Sequence, residues 1–471
     1  TIYDGSGYIY DFEGIAEIFG APRDGGSNGP AQFPPGPVLT DEAWDGWGNV
    51  FVYSPHADLT APTAADRYLG PGDGCTLSLG GREIAFPVVS LHGLEVQHRW
   101  YADPGRLPGA RILTLLRNPS AAPIGVTVAQ GDPSGLNDLG SDAATAPRTT
   151  SDGSGLFSAA SYWGVSADGL AFDVDPALAH VWDGSGGAMR ASEVVLGGAK
   201  GPDALYWAWN LTIPPERIVA FLSYEIQVAL PGRETAAEVA EASAQAEARV
   251  KQAPASVYAG MSAPAIAATM NWARPAPTAV IAPVAGGSSA LAPVRLDGSG
   301  STGASGLPQC PPRFAWKSDD GATGSSATFS HFFSPGGHTA RLTVTNTCGG
   351  GPRSAEVSFE VEPALKLIGV KVNRRAGTAT LKLRALGPGR LSLAGTGVRR
   401  EAKPVAKSGN VSLLVKPVGK ARRALAGVGR ARVSVTAALT ASGGKPSTVS
   451  KTVVLRRVVA RRSRPARRGA G

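Results

Sequence analysis

The chain has 471 residues, and its 46 Lys and Arg exceed its 37 Asp and Glu, for a formal net charge of +9. That length is too great for one hydrophobic core, so three or four domains are expected. No window holds the apolar run a transmembrane helix needs, and three cysteines are too few for a disulfide scaffold or a Cys-based zinc centre.

Charge is uneven along the chain. From Ala364 onward there are 26 basic residues and one acid, Glu401, whereas the preceding residues hold 20 basic and 36 acidic side chains. The pattern is an acidic body with a basic end, not a uniformly basic protein. Abundant Gly and Pro with few aromatics favour short strands and tight turns. The chain opens at Thr1 with no signal-peptide pattern, so any targeting segment is expected to have been removed or left out. Arg-rich, Ala- and Gly-heavy usage is associated with high-GC bacteria.

Residues 1–232 read as one large β-sandwich domain. Ile112-Leu113-Thr114-Leu115-Leu116 and Ile124-Gly125-Val126-Thr127-Val128 flank an Asn118-Pro119-Ser120 turn, and 217–226 form another long strand. The run of strands is similar to the supersandwich of sugar-binding and sugar-active proteins, as a pattern only. Trp44, Trp47, Trp163, Trp182, Trp207 and Trp209 serve either the core or, if exposed, stacking on sugar rings. On the second reading Trp44, Asp45, Trp47, Trp207 and Trp209 are the candidate ligand-binding residues. Asp132, Asp138 and Asp142 sit in a Gly/Asn/Ser-rich stretch that suits a Ca²⁺ loop or simple turns. No other cofactor is expected.

Enzyme signatures are weak. Asp41, Glu42, Asp45, Asp183, Glu216 and Glu225 could supply a glycosidase pair, but sequence cannot pair them. His92 and His98 lack zinc spacing and read as structural or surface residues. Cys75 reads as an unpaired, buried thiol. No catalytic residue is assigned.

Residues 233–275 change composition to a helical connector and linker. Glu234 to Gln252 is rich in Ala, Glu and Arg, with Pro254 as a stop. A second short helix is expected from Ser262 as N-cap to Asn271, with Trp272 plugged against the preceding domain.

Residues 276–363 carry three motif blocks. Val294-Arg295-Leu296-Asp297-Gly298-Ser299-Gly300-Ser301 opens the segment, Phe314-Ala315-Trp316 lies in its middle, and Gly336 through Asn346 closes it. These resemble the PKD domain, a small Ig-like sandwich of secreted and cell-surface proteins. The resemblance implies that Trp316 fills the centre and that His338, Ala340, Leu342 and Val344 point inward. The family's Trp-Asp-Phe-Gly-Asp-Gly becomes Trp316-Lys317-Ser318-Asp319-Asp320-Gly321, which weakens any metal role for that turn. Cys310 and Cys348 flank the matching strands and are expected to form a disulfide in an oxidising compartment. Gly298 to Gly303 satisfies G-x-G-x-x-G, but no helix follows, so a dinucleotide site is rejected.

Residues 364–459 read as a basic Ig-like domain, with alternating strands at 365–372, 378–386, 391–394, 411–416, 431–439 and 448–455. The segment is similar to basic β-modules at the C-termini of actinobacterial secreted proteins, again in pattern. Its charge suits an anionic cell-wall polymer or a membrane surface, or serves simply as a solvated face, while nucleic acid is not expected, because stacking aromatics are absent. Residues 460–471 read as a disordered basic tail.

The expected fold class is therefore all-β: a large N-terminal β-sandwich, a short helical connector and two small Ig-like β-sandwiches. The expected function is that of an extracellular or cell-surface binding or structural protein, non-catalytic, with a glycan or cell-surface protein as partner. The alternative is a carbohydrate-active enzyme with an N-terminal catalytic sandwich and an accessory PKD domain.

Overall fold

A computed structural model describes residues 2–5, 8–10, 12–13, 17–19, 44–70, 74–105, 107, 109–135, 139, 145–168, 176–197, 201, 204–230, 234–282, 288–442 and 444–458. The chain is all-β with a few short helices. It divides into two compact units. The first comprises Thr1–Pro277, Gly303–Pro312 and Thr345–Gly351; the second comprises Thr278–Thr302, Arg313–Val344 and Pro352–Gly471.

The first unit is built on two antiparallel sheets. Nine strands form the larger, with Ile218–Val228, Ala110–Arg117 and Leu94–Ala102 at its centre and Ala146–Thr150, Trp163–Ala167 and Ala177–Val181 on one flank. The smaller orders Glu193–Leu196, Leu205–Ile213, Ile124–Gly131 and Val50–Tyr53. Alternation along the strands sends Val126, Val128, Trp207 and Trp209 from the smaller sheet, and Ile112, Leu116 and Phe221 from the larger, into one shared core.

Helix α1, Thr235–Val250, packs its alanine stripe on the outer face of the larger sheet, burying Ala242, Ala246 and Val250 beside Val165, Ala179 and Val181. Small side chains there let the helix lie close to the strands. Arg249 in its last turn is buried, reaching Asp103 at 2.6 Å and lying 4.5 Å above the Tyr224 ring. Helix α2, Pro254–Val257, follows directly. In helix α3, Ala263–Ala268, the Ser262 hydroxyl accepts from the Ala265 amide, as its sequence position implies. Trp272 is buried and donates to the Leu222 carbonyl at 2.9 Å.

Residues 303–312 and 345–351 carry PKD-like sequence, yet they pack into the first unit. Ala304, Leu307, Cys310 and Cys348 belong to the same core as Val257, Tyr258, Met261 and Ile266. The Cys310–Cys348 disulfide is formed, with Cα atoms 5.5 Å apart. Asn346 Nδ2 donates to the Pro275 and Gly303 carbonyls at 2.7 and 2.6 Å.

In the second unit Trp316 is buried, stacks on Phe329 and donates to the Ser326 carbonyl at 2.9 Å. His338, Ala340, Leu342 and Val344 all face inward from strand Gly336–Asn346. The altered turn after Trp316 is held by imidazoles: His331 bonds Asp320 at 2.9 Å and His338 bonds Asp319 at 3.1 Å. Beyond it, a three-stranded sheet (Ala364–Asn373, Thr378–Leu386, Gly409–Val415) and a four-stranded sheet (Glu401–Val405, Gly389–Gly395, Arg430–Thr440, Ser447–Arg456) enclose a core of Leu381, Leu383, Leu391, Leu413, Val433 and Leu455. Strand Glu401–Val405 and helix α4, Gly419–Val428, were not expected from the sequence. The helix buries only Leu425, so its apolar period is too thin to stand out, although its Ala and Arg are good helix formers.

Candidate functional site

The tryptophans predicted as a ligand platform are core residues. Trp44, Trp47, Trp207 and Trp209 have no solvent exposure. Trp47 donates its indole N–H to the Leu205 carbonyl at 2.9 Å and packs 5.3 Å from Trp207, while Trp209 stacks on Phe221 at 4.3 Å. Stacking on a sugar needs an open ring face, so these four are corrected from binding to structural residues. Asp45 lies in strand Asp45–Trp47, but its side chain, like all of Asp41 and Glu42, is outside the described residues. Truncating Trp207 to Ala is expected to cost about 3–5 kcal/mol, read from urea unfolding.

The other candidates are placed as follows. Asp132 is buried and its carboxylate accepts from the Ser134 amide at 2.7 Å, which closes a turn; Asp138 and Asp142 lie outside the described residues. Among the described residues no group of three His, Cys, Asp or Glu side chains is arranged to hold a metal. Cys75 is exposed, not buried as expected, because it lies just before the exposed strand Thr76–Ser78.

The described members of the glycosidase candidates, Asp183, Glu216 and Glu225, each have a basic partner of their own. Glu216 is 3.6 Å from Arg117. Asp183 accepts from Arg190 Nε at 3.0 Å, the Ala191 amide at 2.8 Å and Trp209 Nε1 at 3.3 Å, yet burial pushes its carboxyl up to about 6. Glu225 meets His180 Nδ1 at 2.6 Å, and Ser166 Oγ lies 2.9 Å from His180 Nε2. This Ser–His–Glu line has the order of a hydrolytic relay, but all three side chains are sealed between the sheets. Burial raises the Glu225 pKa and His180 draws it back only in part. No substrate reaches Ser166, so the trio is a buried structural network.

A second Ser–His–Asp line is exposed. His92 Nε2 is 2.8 Å from Asp66 Oδ1, and His92 Nδ1 is 3.4 Å from Ser54 Oγ. Asp66 is anchored through its other oxygen by the Thr63 amide and hydroxyl at 2.7 and 2.6 Å. Burial works to raise its pKa, but the Thr63 and His92 hydrogen bonds outweigh it and hold the carboxyl below the usual range. An ionised Asp66 is acceptor-only, so Nε2 carries the proton and Nδ1 faces Ser54 as an acceptor.

Two tight turns make this arrangement. His92-Gly93 joins strands Val89–Leu91 and Leu94–Ala102, and both residues have positive φ, +47° and +80°. That is the signature of a type I′ hairpin, where Asn-Gly fits best. Ser54 begins the other turn, in which the Ala57 amide donates to the Ser54 carbonyl at 3.2 Å and His56 has φ +66° after Pro55. Positive φ two residues into a Pro-led turn ordinarily selects Gly or Asn. Each histidine therefore occupies a backbone position that costs stability.

Pro55 and His56 also line an open groove of about 1070 Å³. Its floor includes Gly125, Thr127, Asn210 and Thr212 on the outer face of the smaller sheet, with Thr127 Oγ1 donating to Asn210 Oδ1 at 2.5 Å. Glu193, Arg217 and Arg274 supply charge; Met189, Met270, Leu211 and Ile218 supply adaptable apolar contact. Sequence reasoning named His92 but missed Ser54 and Asp66, because the three come from separate segments with no fixed spacing.

Residues 274–361 match the model of the PKD domain family, in agreement with the buried Trp316 and the alternation of strand Gly336–Asn346. No curated protein matches the chain. Among solved structures, a polysaccharide lyase is similar at 10% identity and a TM-score of 0.27, over 96% of this chain and 46% of its own; the chain thus spans about half the length of that enzyme. A tandem-repeat extending region of a large adhesion protein is similar at 11% identity and a TM-score of 0.21, over 88% of this chain and 93% of its own. A bacterial ice-binding adhesin is similar at 11% identity and a TM-score of 0.18, over 63% of this chain and 90% of its own. No helix among the described residues is long and apolar enough to cross a membrane.

Proposed function

We propose that the chain is an extracellular or cell-surface binding protein held at its site of action by the basic sandwich, which engages an anionic surface polymer. The observation that carries this reading is the outer face of the three-stranded sheet. Lys366, Lys371, Lys382 and Arg384 are exposed there. Lys366 stands directly opposite Arg384 in the register, and like charges so placed destabilise a sheet. Glu401, the single acid after residue 364, accepts from the Leu414 amide at 3.1 Å. A polyanion laid on this face relieves the repulsion that the fold leaves in place. The PKD domain at 274–361 fits a role outside the cell, and the groove of the first unit offers a place for a glycan or protein ligand.

The test compares retention of the full chain on immobilised polyphosphate and on a neutral polysaccharide. The double variant Lys382→Glu, Arg384→Glu is expected to bind polyphosphate at least about tenfold more weakly at physiological salt, since each basic residue near an anionic surface contributes about 1 kcal/mol. Equal retention of variant and parent, or equal retention on the neutral polymer, sinks the reading.

A further inference from the structure

We propose that Ser54, His92 and Asp66 form a solvent-open nucleophilic site that cleaves carboxylic esters presented by a ligand lying in the adjoining groove. The proposal stands on geometry. Three side chains from separate segments meet in nucleophile–base–carboxylate order, at 3.4 and 2.8 Å. The longer distance is of the kind that tightens when a substrate arrives. The buried trio of Ser166, His180 and Glu225 shows the same order with no access, so exposure separates a site that can react from one that cannot.

The position relative to the groove follows from local packing. Pro55 and His56, the two residues after Ser54, are groove walls. A Cβ on Gly125 of the floor would lie 3.3 Å from Pro55, and one on Gly93 would lie 3.4 Å from Ile124, the residue before Gly125. Both turns of the site therefore rest on the start of strand Ile124–Gly131. Ser54 itself is not a groove wall; it stands one residue before the wall residue Pro55, so the site adjoins the groove at that turn.

The chemistry balances without any added redox partner. Ser54 Oγ bonds to the acyl carbon as its proton passes to His92 Nδ1. The bond from that carbon to the alcohol oxygen breaks, and the departing oxygen takes the proton from Nδ1. Water then attacks the acyl-serine, its proton moves to Nδ1 and back to Ser54 Oγ, and the carboxylic acid leaves. Asp66 touches no substrate. It is a positioning residue that fixes the imidazole tautomer and steadies the imidazolium. Pro55 has no amide hydrogen to offer a developing oxyanion, so activated esters are the substrates that need least help.

The experiment treats the folded full chain with a fluorophosphonate probe and, separately, with p-nitrophenyl acetate. The expected result is one probe adduct, mapped to the peptide containing Ser54, and ester turnover above buffer. Ser54→Ala, an exposed change that leaves the core untouched, abolishes the adduct and returns turnover to background. Asp66→Asn lowers turnover about a hundredfold and moves its pH profile, while a thermal melt reports whether the turn at Thr63 has held. No adduct on Ser54, an adduct elsewhere, or Ser54→Ala turnover equal to that of the parent overturns the proposal. Loss of polyphosphate retention has no bearing on it, because that reading rests on the second unit.

Discussion

A fragment ending at Pro277 is expected to be far less stable than one that runs to Pro363, although 1–277 holds both large sheets and all three connector helices. The first unit is completed by residues 303–312 and 345–351. Leu307 and Ala304 fill its second core against Val257, Tyr258, Met261 and Ile266, and Gln309 Nε2 donates to the Met261 carbonyl at 2.9 Å. Removing one buried Leu alone costs about 2–5 kcal/mol. The disulfide between Cys310 and Cys348, 38 residues apart, adds about 4 kcal/mol in the chain-entropy model. Losing Leu307, Ala304 and the Gln309 hydrogen bond together removes a large part of the stability of a typical domain, about 5–15 kcal/mol, whereas the disulfide's share is lost only when the longer fragment is reduced. Fragment 1–277 is therefore expected to bind a hydrophobic dye and to melt without a sharp transition, whereas 1–363 melts cooperatively and loses about 10 °C on reduction. Matching melts of the two fragments would falsify this account of the core.

Which features could be read from the sequence follows from how local each signal is. Strand Gly336–Asn346 was readable to the residue because its period of two meets a buried Trp316 and defined turns. The start of helix α3 was readable from Ser262 and Pro264, but it ends at Ala268 rather than at the expected Asn271, whose side chain bonds the Leu222 and Trp182 backbone instead. The Cys310–Cys348 bridge followed from the PKD likeness, but its address in the first unit did not, since nothing local to Leu307 says which core it enters. The fate of the tryptophans was equally hidden. Trp207 and Trp209 share a strand face under either reading, and only the facing sheet decides that they are buried. The Ser54–His92–Asp66 line is the extreme case: two turns, each with a histidine at positive φ, bring together residues whose spacing carries no message.

The acid response of the first unit is expected to hide two large opposing effects. His98 is fully buried, with Nδ1 3.3 Å from Thr114 Oγ1 and the rings of Tyr68 and Trp100 beside it. Burial pushes its pKa down to about 3 from the usual 6.5. A depressed folded value means full stability above pH 6.5 and progressive loss below it, as the unfolded chain takes up a proton the folded chain refuses. By pH 4.5 that loss is about 3 kcal/mol. Asp183 runs the other way. Burial raises its pKa to about 6 from 3.8, so its folded form binds the proton first and the chain gains stability as pH falls below 6, about 2 kcal/mol by pH 4.5. The parent should therefore show a shallow profile between pH 7 and 4.5. His98→Gln should gain about 2 kcal/mol over that range, because the Asp183 effect is left unopposed, and Asp183→Asn should lose about 3 kcal/mol, because the His98 effect is left unopposed. Urea unfolding of the three proteins at pH 7 and 4.5 decides the matter. Parallel pH dependences in all three would mean that neither buried group titrates apart from its unfolded value.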